Sequence, residues 1–123
     1  MPDLATILVV DDEAAVLSFL NNALTIKGYR VILAGDGKAG LEEFEKQKDA
    51  IDLIISDIAM PEMDGGEMAA RVRAIRTDVK LMFITGYSPT RVIPEQFNTC
   101  KCLAKPFSAH TLYDAVRECL ESG

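Results

Sequence analysis

Two stretches, Thr6-Ile7-Leu8-Val9-Val10 and Leu53-Ile54-Ile55-Ser56-Asp57, run without polar alternation until a carboxylate ends them. A strand with one wet face alternates polar and apolar residues. One without that alternation is buried on both faces, as in parallel sheets covered by helices on either side. The first run passes into Asp11-Asp12-Glu13. The second ends on Asp57, and Pro61 stops the extended chain soon afterwards. In open parallel α/β sheets the chemistry lies just beyond the carboxyl ends of the strands. These two runs therefore constrain the fold and the place of any site together.

The rest of the chain alternates in the same way. Val16, Phe19, Leu20, Ala23 and Leu24 recur at helical spacing, and Gly28 ends that helix. Residues 29–34 read as a second strand. Gly35-Asp36-Gly37 starts a helix with Leu41 and Phe44 inward and Glu42, Glu43, Glu45 and Lys46 outward. After the turn formers Pro61 and Asp64-Gly65-Gly66 comes a helix with Met68, Val72 and Ile75 on one face, then strands over 80–84 and 101–104. Ser108 caps a last helix with Leu112, Ala115, Val116 and Cys119 on its apolar stripe. Residues 88–97 should form the fourth helix, but Pro94 interrupts it, so a short, frayed or displaced helix is expected there. Five strand–helix alternations imply an α/β doubly wound parallel sheet with right-handed crossovers. Without repeat, low-complexity segment or linker, residues 1–123 read as one domain.

Composition narrows the function. With 49% apolar residues the chain can bury a core, and a net charge of −6 argues against direct binding to nucleic acid. No run of eighteen apolar residues exists, and the N-terminus lacks a basic segment followed by an apolar one. That predicts no membrane span, no secretory signal and a cytoplasmic protein. Three cysteines without framework spacing fit a reducing compartment. Cys100-Lys101-Cys102 reads as free core or edge thiols rather than a metal site, because no histidine or second cysteine pair is near in sequence. His110, the lone histidine, reads as a surface or helix-packing residue.

Asp11, Asp12 and Asp57 end two strands that such a topology sets side by side. Like charges that close repel unless a cation joins them, and a small oxygen-lined site suits Mg²⁺. Asp11-Asp12 could instead merely cap the first helix, where acid is favourable anyway. The joint arrangement favours the site: acids after strands one and three, a hydroxyl (Thr85) after strand four and a lysine (Lys105) after strand five. Those parts suit phosphoryl transfer, with a carboxylate nucleophile and a metal, an ammonium and a hydroxyl to neutralise phosphoryl oxygens.

Ile7-Leu8-Val9-Val10-Asp11-Asp12-Glu13, Asp57 with Met60-Pro61-Glu62-Met63-Asp64-Gly65, Thr85-Gly86-Tyr87 and Lys105-Pro106-Phe107 together resemble a CheY-like response-regulator receiver domain, over essentially the whole chain. The resemblance implies a flavodoxin-like sheet of strand order 2-1-3-4-5. It implies that Asp57 accepts a phosphoryl group from a histidine kinase or histidine phosphotransfer protein. Asp12, Asp57 and the Ala59 carbonyl would bind Mg²⁺, Asp11 would act through a metal-bound water, and Thr85 and Lys105 would grip the phosphoryl oxygens. The face of the fourth and fifth predicted helices and the fifth strand would then rearrange to signal to a downstream protein or an attached domain. Such a receiver catalyses only its own phosphorylation and dephosphorylation.

Three features depart from the family pattern. Cys102 stands where an aromatic switch residue is usual, with Tyr87 the nearest aromatic. Ala59 offers no polar group two residues past the acceptor, which predicts slow to moderate self-dephosphorylation. Pro94 weakens an output helix. A flavin-binding module would need a phosphate loop where Asp11-Asp12-Glu13 stands, and an aspartyl phosphatase would want an acid at position 59. A receiver acting by binding alone is the blander alternative. The chain fits a stand-alone receiver or one cut from a longer protein, and its phrasing around Thr85 and Lys105 is similar to receivers of hybrid sensor kinases.

Overall fold

Strand β1 (Thr6–Val10) is buried at every residue and is flanked on both sides, by β2 (Arg30–Ala34) and by β3 (Leu53–Asp57). The computed structural model describes residues 5–86 and 101–121. With β4 (Lys80–Thr85) and β5 (Lys101–Ala104), the strands make one parallel sheet in the order β2-β1-β3-β4-β5. Among the described residues the helices are α1 (Ala14–Ile26), α2 (Gly37–Gln47), α3 (Gly65–Ile75) and α4 (Ala109–Glu121). The helix expected over 88–97, with Pro94, and Tyr87 lie outside the described residues.

The unbroken apolar strands feed two cores. Leu8, Val10, Ile54 and Phe83 point to the side where Phe44 of α2 and Met68 and Val72 of α3 pack. Ile7, Val9, Ile55, Met82 and Ile84 point to the other, against Leu20 and Leu24 of α1 and Leu112 and Val116 of α4. Successive side chains alternate between faces, so both must be apolar when helices cover both.

Local chemistry sets the helix starts. Asp36 accepts the Ala39 N–H at 2.7 Å and Asp64 accepts the Glu67 N–H at 2.8 Å, each capping the helix that follows. Ser108 Oγ accepts the Thr111 N–H at 3.1 Å, as its position before α4 predicts. Two expected core residues are instead exposed. Phe19 is 39% exposed and meets Phe107 edge-on, with ring centroids 6.0 Å apart; Ile75, in the last position of α3, is 40% exposed. Each sits at the margin of its apolar stripe, where periodicity alone cannot fix the depth of burial.

Arg76 ties the α3 end to the loop after α2. Its Nη1 donates to the Lys48 and Ile51 carbonyls at 2.5 and 2.6 Å, and its Nε donates to Asp78 at 2.7 Å. Arg76→Ala takes a charged donor from the part-buried Ile51 carbonyl. It should cost about 1–3 kcal/mol, read as a lower urea midpoint at unchanged m-value; an unmoved midpoint would show that water replaces the guanidinium without loss.

Candidate functional site

The carboxyl ends of β1 and β3 lie side by side because Val10 pairs with Ser56, which brings Asp11 and Asp57 together. Asp11 is fully buried. Its N–H donates to the Ala34 carbonyl at 3.2 Å, and its Oδ1 accepts the Glu13 N–H at 2.8 Å. The residue preceding α1 is Glu13, whose side chain makes no capping bond. Asp11 is thus held by the turn before the helix and set beside Asp57 at the carboxyl end of the sheet, which separates it from a simple helix cap. Asp57 is also buried, whereas Asp12 is exposed. One carboxylate oxygen from each of Asp11, Asp12 and Asp57 lies within 4.8 Å of the others.

Lys105, just past β5, reaches into this cluster. Its Nζ donates to Asp57 Oδ2 at 3.1 Å and to Glu13 Oε1 at 2.9 Å, and it pairs with Asp11 Oδ2 at 3.1 Å without hydrogen-bond alignment. Burial alone would lower the lysine pKa; the contacts with Glu13, Asp11 and Asp57 outweigh it and hold the ammonium above its ordinary range. For Asp11, loss of hydration raises the pKa and the Asp57 charge adds to that. The Glu13 N–H and Lys105 oppose the rise without cancelling it.

Thr85 is buried at the tip of β4, one residue past Ile84, which pairs with Asp57. Its carbonyl accepts the Lys105 N–H at 2.7 Å, and the Lys105–Pro106 bond is cis. Asp12, Glu13, Asp57, Ala59, Gly86 and Lys105 line a cleft of about 430 Å³. Ala59 is half-buried there and presents only a methyl group. Cys102 is a free thiol exposed on the edge strand, and burial of its sulfur by the surroundings pushes its pKa up. His110 is exposed and 3.3 Å from Asp114. No described helix is long and apolar enough to cross a membrane.

The donor set fits a hard divalent cation. Asp57 Oδ1 is buried without a hydrogen-bond partner, and Asp11 Oδ2 has only its poorly aligned ion pair with Lys105; a buried carboxylate oxygen so placed is costly unless something else satisfies it. Three carboxylates converge on that point against one ammonium, so positive charge is in deficit there.

Sequence reasoning quoted Glu13 only as part of a motif and gave it no role. The structure sets its carboxylate on Lys105, 92 positions away in the chain. The available signal was an acid two residues beyond Asp11 at the mouth of a helix, but sequence does not tell which way it points.

Sheet order, buried acids and a lysine from the last strand define a receiver of two-component signalling. The chain belongs to the response regulator receiver domain family, whose model matches residues 7–117. It is 38% identical over 120 residues to the sensor kinase CckA of Brucella abortus (strain 2308), covering 95% of this chain and 13% of the kinase. It is 35% identical over 116 residues to the response regulator receiver protein CpdR of the same organism, covering 93% of this chain and 95% of CpdR. The crystal structure of the response regulator TrrA from Thermotoga maritima, in complex with Mg²⁺-BeF, superposes with a TM-score of 0.84 at 32% identity, covering 95% of this chain and 100% of TrrA.

Proposed function

We propose that Asp57 accepts a phosphoryl group from a phosphohistidine on a histidine kinase or phosphotransfer protein. The single observation that carries this is the Asp57 carboxylate, with one oxygen on the Lys105 ammonium and the other buried and unpartnered. An Asp57 oxygen attacks phosphorus as the bond to the donor imidazole nitrogen breaks, and that nitrogen keeps the electron pair. Lys105 and the Thr85 hydroxyl neutralise the phosphoryl oxygens as charge builds on them. In a separate hydrolytic step, water attacks phosphorus and the Asp57 oxygen leaves with the bonding pair, releasing inorganic phosphate and restoring the carboxylate.

Asp12, Asp57 and the Ala59 carbonyl would hold Mg²⁺, with Asp11 acting through a bound water. The cation would supply positive charge to the transferring group. The unpartnered Asp57 Oδ1 supports that set, and TrrA, a relative by fold and sequence, was crystallised with Mg²⁺-BeF. The methyl of Ala59 cannot orient an attacking water, so the aspartyl phosphate decays at a slow to moderate rate. We read residues 1–123 as one receiver domain of a cytoplasmic protein. Its output is a protein contact on the face of β5, α4 and the helix expected over 88–97, with Thr85, Tyr87 and Cys102 as candidate switch residues, the last two in place of the usual aromatic.

The test is intact mass after incubation with acetyl phosphate, with Mg²⁺ and with excess chelator. One phosphoryl group should be gained with Mg²⁺, at a rate at least about tenfold higher than without it. An Asp12→Asn variant should need more Mg²⁺ for half-maximal rate. No gain from acetyl phosphate or from a phosphohistidine donor, in folded protein at saturating Mg²⁺, would overturn the reading.

A further inference from the structure

The Lys105 ammonium has three N–H groups and is surrounded by three carboxylates: Asp11, Asp57 and Glu13. To grip a phosphoryl group, as the reading above requires, it must let go of one of them. The three differ sharply in what release costs. Asp11 is fully buried and the Asp57 side chain is 6% exposed, so leaving either unpaired carries a large desolvation cost. The Glu13 side chain is 61% exposed and returns to water freely. Glu13 also lines the mouth of the cleft, and its backbone is fixed by the bond to Asp11. Its side chain makes no helix cap, so the lysine is the partner the structure gives it.

We propose that Glu13 is a positioning and specificity-determining residue: a resting-state ligand of Lys105 that the incoming phosphoryl group must displace. It holds the ammonium over Asp57 before a phosphoryl group arrives, and its negative charge at the mouth opposes anionic phosphodonors. Removing that charge spares Lys105 the exchange, so phosphorylation by a small anionic donor speeds up rather than slowing. The inference rests on Asp57 being the acceptor.

The experiment measures the rate of phosphoryl gain by intact mass for the wild-type chain, Glu13→Gln and Glu13→Lys. Acetyl phosphate is the donor, Mg²⁺ is saturating, and ionic strength is low and then high. A parallel Mg²⁺ titration by calorimetry separates effects on the cation from effects on the lysine. The rates should rise in the order wild type, Gln, Lys. Glu13→Gln should gain roughly 1.5- to 5-fold, the range an exposed ion pair corresponds to. The differences should shrink in high salt, which screens charge at the mouth but does not alter packing. Mg²⁺ affinity should not rise in either variant. If the wild type is phosphorylated and both variants are equal to it or slower, Glu13 is no competitor and the inference falls while the acceptor reading stands. If the faster rate tracks tighter Mg²⁺ binding, the lysine is not the route and the inference falls. If the wild type gains no phosphoryl group from acetyl phosphate or from a phosphohistidine donor, the acceptor reading fails and takes this inference with it.

Discussion

Asp57→Asn should give a folded protein that gains no phosphoryl group from acetyl phosphate, a loss of at least about 10³-fold, and that is no less stable than the parent in Mg²⁺-free buffer. The two halves of this result have one cause. The amide is no nucleophile, so the acceptor is lost. Its oxygen can still accept from Lys105, which keeps Asp11 and Glu13 as well. The negative charge of Asp57 is one of the influences that raise the Asp11 pKa, and removing it relieves a repulsion between the two carboxylates in Mg²⁺-free buffer. Lost activity with equal or higher melting temperature in calorimetry identifies a functional carboxylate. Lost activity with a melting temperature well below the parent would mean that Asp57 is structural first.

Gly65→Ala should be a damaging small change even though it alters no charged side chain. A Cβ at Gly65 would overlap the Asp57 carbonyl oxygen and come within 3.1 Å of Ile58 Cα, both backbone atoms that cannot rotate away. The Gly65 N–H also donates to the Ile58 carbonyl at 2.8 Å, so the start of α3 is fastened to the end of β3 at this point. One methyl group must push the two apart. We expect about 1–3 kcal/mol lost in denaturant unfolding. The phosphorylation rate should fall by about 10–100-fold in protein that is still folded, since a shift near 1 Å at a reacting group costs that order. A fall in stability with an unchanged rate would show that the displacement stops short of the carboxylate.

The sheet was legible because its strands carry two-sided burial in their own composition. Thr6–Val10 and Leu53–Asp57 need no partner to be read as central, and the observed bounds agree to within a residue. The order of the strands came from family resemblance rather than from the residues, and the structure bears it out. The structure brings together Asp11, Asp12, Asp57 and Lys105, four residues predicted as site components from the ends of three strands. Direction was what sequence could not supply. Phe19 and Ile75 satisfy helical periodicity and still face water, because a stripe's margin is set by neighbouring elements. Glu13 and Arg76 stand beside helix ends, and nothing next to them in sequence singles out their long-range partners. Their partners, Lys105 and the carbonyls of Lys48 and Ile51, lie 92, 28 and 25 positions away. No local pattern encodes contacts of that span.

The hydrogen bond from the Lys105 N–H to the Thr85 carbonyl joins two of the residues assigned to the phosphoryl group through their main chains. Thr85 and Lys105 therefore do not have independent positions. The tip of β4 and the start of the loop after β5 are geared, and a movement that brings the hydroxyl forward draws on the lysine backbone as well. Energies measured by changing one of them will contain part of the other, so single substitutions there overstate how separable the two grips are. The same gearing makes the edge strand β5 a passenger of whatever happens at the centre of the sheet. On the function proposed above, an event at Asp57 that moved the tip of β4 would also reach β5, at the border of the sheet, where a partner protein would feel it.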